Sequence, residues 1–146
     1  MLDVVPLLEL AKSHGYRPFY DQAASSLKTL LSKLASAGIK PSVLLPGNDL
    51  YSHALEIEQK EYVFQVMIRF DLHIFAIVAY RKSSTARYFV SYGPSLEPML
   101  KPLLDIIRLE GFEEVDHNAG NISLGDEPLA QGMMANTLFA YFFEDG

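Results

Sequence analysis

From Tyr62 to Phe70 the side chains alternate strictly enough to define a strand. Tyr62, Phe64, Val66, Ile68 and Phe70 share one side of an extended backbone, with Gln65 and Arg69 on the other. The residues that follow, Leu72 to Tyr80, are apolar on both sides, which predicts a central strand covered on both faces. Joined end to end, the two would far exceed the usual strand of about 3–10 residues. A tight turn near Asp71 therefore has to fold them back on one another.

Shorter patterns flank this pair. Ala54 to Gln59 places Leu55 and Ile57 on one face, and Lys82-Ser83-Ser84-Thr85 reads as a loop into Arg87 to Tyr92, where Tyr88, Val90 and Tyr92 coincide. Ser42 to Leu45 is a short candidate strand ahead of the turn formers Pro46-Gly47-Asn48-Asp49. The sum is an antiparallel meander of four strands or more.

Helical spacing governs most of the remainder. Val4, Leu7, Leu8 and Ala11 recur at three- and four-residue intervals within Leu2 to Ser13, closed by Gly15. Asp21 is placed to cap a stronger helix in which Ala24, Leu27, Leu30, Leu31 and Leu34 share a face, while Gln22, Ser25, Lys28, Ser32 and Lys33 look to water. Gly38 and Pro41 end it. A further helix takes Ser95 as N-cap and carries Leu96, Leu100, Leu103 and Ile107 along one stripe. Pro102 removes the donor that would bond the carbonyl of Pro98, so a kink or restart is expected there. Gly111 followed by Phe112 fits a left-handed C-cap with an apolar clasp.

Beyond that cap, Phe112 to Val115 and Asn121 to Leu124 form a candidate hairpin. Asp126 and Pro128 then open a C-terminal helix bearing Leu129, Met133, Met134, Leu138, Tyr141 and Phe142, although Thr137 to Phe143 also fits a strand. The expected architecture is α+β: the meander packed by N-terminal, middle and C-terminal helices, in one domain over residues 1–146.

Composition narrows the chemistry. Without cysteine the chain has no disulfide, thiolate nucleophile, iron–sulfur cluster or cysteine-ligated zinc, and a reducing compartment fits it. Met1 to Leu10 carries Asp3 and Glu9 and no basic leader, and Arg69, Asp71 and Arg81 interrupt the apolar runs, so a cytoplasmic protein with no membrane span is expected. The formal charge of −6 is unevenly spread. Residues 110–146 hold Glu110, Glu113, Glu114, Asp116, Asp126, Glu127, Glu144 and Asp145 with no Lys or Arg, whereas residues 1–40 carry an excess of cations. Such a field repels nucleic acid and speeds encounter with a cationic surface. The same acidity also serves to keep an aromatic-rich segment dissolved.

No motif specifies a reaction. His14, His53, His73 and His117 are far apart in sequence, and none pairs at metal-ligand spacing; His73 reads as a packed or edge histidine on a strand. Gly93-Pro94-Ser95-Leu96-Glu97 lacks the second glycine of a nucleophile elbow, and no glycine-rich phosphate loop occurs. Asp116-His117-Asn118 could orient an imidazole for acid–base work, but these are equally common turn residues. Asn121-Ile122-Ser123 matches a glycan acceptor only for a secreted chain. Arg81, Lys82 and Arg87 beside Tyr80, Tyr88 and Tyr92 interleave cations with aromatics, a pattern that the overall acidity outweighs as a nucleic-acid platform. No cofactor, metal or catalytic residue is expected.

The Asp21 to Ala37 helix, the Tyr62 to Tyr92 meander and the acidic Glu110 to Gly146 end together resemble the small acidic immunity proteins that bacteria pair with contact-delivered toxins. That resemblance implies an inhibitor that binds a basic toxin or effector and no particular site. The acidic residues expected to meet the partner are Glu113, Glu114, Asp116, Asp126 and Glu127, with His117 among them. A secretion-type chaperone acting as a homodimer, and an enzyme with a site assembled from residues such as His73, Asp116 and His117, are the alternatives.

Overall fold

The computed structural model describes residues 5–6, 9, 20–44, 53–70, 72–83, 96–116, 119, 123–128, 134–137 and 143. Two continuous helices, α1 (Tyr20–Ser36) and α2 (Glu97–Leu109), pack with a five-stranded sheet. Its strands run in spatial order β1 (Ser42–Leu44), β2 (His53–Gln59), β3 (Tyr62–Arg69), β4 (Ile74–Arg81) and β5 (Glu113–Glu114). The first four are antiparallel neighbours, and β5 lies parallel to β4. A separate antiparallel pair joins β6 (Ser123–Pro128) to β7 (Met134–Thr137). The chain is thus α+β with a mixed sheet.

The alternation in β3 sets the layers. Phe64, Val66 and Ile68 are buried on one face, aligned across the ladder with Leu55 and Ile57 of β2 and with Phe75, Ile77 and Ala79 of β4. Leu30 and Leu34 of α1 and Leu100, Leu103, Leu104 and Ile107 of α2 complete this core. Burying a side chain of this size is worth roughly 1.5–3 kcal/mol, so these positions dominate stability. Leu27 and Leu31 pack at its margin while Ser25, Lys28, Ser32 and Lys33 are exposed, as the helical pattern requires. The opposite sheet face is also covered in part: Val63, Ile74 and Ala76 are buried there, together with Arg69.

Turns close where the sequence places them. Arg69 pairs with Ile74, so β3 and β4 are joined through Phe70 to His73, with His73 in the left-handed region at φ 54°. His73 is therefore an exposed turn residue and not a strand residue. The β2–β3 turn is tighter, since Gln59 pairs with Tyr62 across Lys60 and Glu61, and Lys60 adopts φ 55°.

Both helices end by one device. The N–H of Ile39 bonds the carbonyl of Leu34 and that of Gly38 bonds Ala35; at α2, Phe112 bonds Ile107 and Gly111 bonds Arg108. Gly38 at φ 79° and Gly111 at φ 91° supply the left-handed residue that this capping geometry needs. Phe112 and Ile107 both enter the core, which is the apolar clasp.

Several expectations are corrected. Helix α1 starts at Tyr20, so Asp21 sits inside its first turn. Leu96, not Ser95, occupies the α2 N-cap and makes no side-chain capping bond. Helix α2 runs unbroken through Pro102; the orphaned carbonyl belongs to Pro98 in the exposed first turn, where water can satisfy it. Phe112–Val115 and Asn121–Leu124 are not partners among the described residues: the first contributes β5, parallel to β4 with Phe112 and Val115 buried, and Ser123 and Leu124 of the second lie in β6 against β7, Asn121 and Ile122 being outside the described residues. A parallel neighbour needs a crossover, and the connection from β4 through α2 to β5 provides it. The meander is accordingly not pure. Where a C-terminal helix is expected from Asp126, residues 126–128 and Met134–Thr137 are strand, in β6 and β7, while Phe143 is helical and the rest of that segment lies outside the described residues; Pro128 is tolerated because β6 is an edge strand of a two-stranded pair. Of the Leu2 to Ser13 helix, Val5, Pro6 and Glu9 are described and helical. The Arg87 to Tyr92 strand lies outside the described residues.

Candidate functional site

The acidic residues singled out from the sequence begin where α2 delivers the chain to the sheet edge. The Gly111 cap turns the backbone so that the N–H of Glu113 bonds the carbonyl of His73 at 3.0 Å and that of Val115 bonds Phe75 at 2.7 Å. These bonds seat Glu113 and Glu114 as β5. Parallel pairing places both beside the β3–β4 turn, where the imidazole of His73 stacks on Phe112 and Phe70 meets the same ring edge-on.

The carboxylates here differ in their partners. Arg108 in the last turn of α2 contacts Glu114 at 3.6 Å, and the Glu114 side chain is only 12% exposed. Lys33 in the last turn of α1 pairs with Glu110 just beyond α2. That second pair brings the C-terminal ends of both helices together, and each cation also offsets the partial negative charge of the helix end it sits on. Asp116 is exposed and its Oδ1 accepts the N–H of Ala119 at 2.8 Å, a capping bond to the backbone three residues on. Glu113 is exposed and makes no ion pair among the described residues.

Three of the six expected contact residues, Glu113, Glu114 and Asp116, therefore lie within one short stretch at the sheet edge. Asp126 and Glu127 lie on β6, with Glu127 opposite Ala135. His117 lies outside the described residues. Lys33, Arg108 and Glu110 are not among the expected contact residues, although a cation in the last turn of each helix is a visible signal.

Other polar groupings lie elsewhere among the described residues, including the Lys101–Asp105 pair along α2. On the second sheet face Glu56 Oε2 accepts hydrogen bonds from Gln65 at 3.3 Å and from the Tyr80 hydroxyl at 3.4 Å. At the sheet end remote from β5, the Arg81 guanidinium lies 5.7 Å from the centre of the Tyr62 ring and Lys82 contacts Glu58 at 3.0 Å. The cations of the Arg81-Lys82 run are thus engaged within the sheet. Arg87, Tyr88 and Tyr92 lie outside the described residues, as does Ser95.

Among the described residues no three His, Asp or Glu side chains gather where they could hold a metal ion. No described helix is long and apolar enough to cross a membrane. No protein-family model matches the chain, and neither does any curated protein or solved structure.

Proposed function

We propose that this chain is a stoichiometric protein-binding inhibitor, of the kind represented by bacterial immunity proteins, working in the cytoplasm against a basic toxin or effector. One observation carries the reading: residues 110–146 hold eight carboxylates and no Lys or Arg of their own, and cations from elsewhere in the chain meet Glu110 and Glu114 but, among the described residues, not Glu113. Glu113 and Asp116, both exposed, belong to that quarter, and Glu113 has no ion-pair partner among the described residues. A cationic surface approaching this end gains in encounter rate, while polyanions are repelled. Glu114, Asp126, Glu127 and His117 complete the proposed contact set.

The experiment is affinity capture from the native host, followed by reconstitution with the recovered protein. Support would be a basic partner that forms a complex of one copy each, whose toxicity in a growth assay is relieved by co-expression of this chain, and whose association slows as salt rises. A recovered partner that is acidic, or a complex whose association ignores salt, would reject the acidic-end reading. A stable homodimer by light scattering that delivers an otherwise insoluble client would establish the chaperone alternative instead.

A further inference from the structure

We draw no further inference here: the strongest candidate, the Glu56, Gln65 and Tyr80 cluster on the second face of the sheet, carries nothing because no described residue shows what covers the buried Val63, Ile74 and Ala76 on that same face.

Discussion

The imidazole of His73 lies stacked on the ring of Phe112, with 5.3 Å between centroids and 20° between planes, while the main-chain carbonyl of the same histidine receives the N–H of Glu113. One turn residue thus grips two consecutive residues at the entrance to β5. His73→Asn keeps a residue type that tolerates the left-handed backbone but removes the stack. We expect a loss of about 0.5–1.5 kcal/mol in urea unfolding. Hydrogen exchange should quicken at Glu113 and Val115, and unchanged protection at those two amides would show that the stack does not hold the strand.

The two helix ends invite a matched pair of substitutions. Nothing lies within 4 Å of a Cβ built on Gly38 or Gly111, so Gly38→Ala and Gly111→Ala should suffer from the positive φ alone. A cost of about 1–2 kcal/mol is expected for each. Asn at either place should recover part of it, and thermal unfolding of the four variants reads the difference.

Lys60 presents the converse case. It occupies the first position of a two-residue turn with φ 55°, a place that favours glycine. Relief of strain outweighs the added freedom of glycine in the unfolded chain, so Lys60→Gly should raise stability by up to about 1 kcal/mol. A lowered melting temperature would argue against a left-handed Lys60.

Two leucines separate packing from mere hydrophobicity. Leu34 is fully buried and Leu109 is 85% exposed, although both belong to the last turns of their helices. Leu34→Ala should cost about 2–5 kcal/mol. Leu109→Ala should stay within about 0.5 kcal/mol. The denaturant midpoints report both.

Charge reversal distinguishes the two residues of β5. Glu113→Lys should leave the fold intact and slow association with a cationic partner, flattening the salt dependence measured by stopped flow. Glu114→Gln removes the anion that faces Arg108 and should act mainly on stability. Equal association rates for wild type and Glu113→Lys would remove Glu113 from the contact set.

The parts of the fold legible in the sequence are those governed by local rules. Period-two alternation in Tyr62–Arg69 identified the core face, since each side chain's direction follows from its place in one strand. Gly38 and Gly111 were recognisable as helix ends because few other residues adopt their backbone. By contrast, Phe112 to Val115 was legible as a strand but its partner was not: β5 pairs with a strand distant in sequence, a choice set by Phe112 and Val115 docking beside β4. Asp126 and Pro128 read as a helix start, and tertiary pairing with Met134–Thr137 overrides that local preference. The acidic end was legible as composition. The division of labour within it was not, because Lys33 reaches Glu110 only once both helices are packed.

The parallel placement of β5 also imposes an order on events. Strands β1 to β4 are joined to sequential neighbours and can zip up through short loops, whereas β5 cannot find β4 until the whole intervening segment, α2 included, has been brought back across the sheet. On a ribosome the meander emerges first, and the acidic edge is the later arrival, so slow refolding kinetics should be written in the amides of Glu113 and Val115.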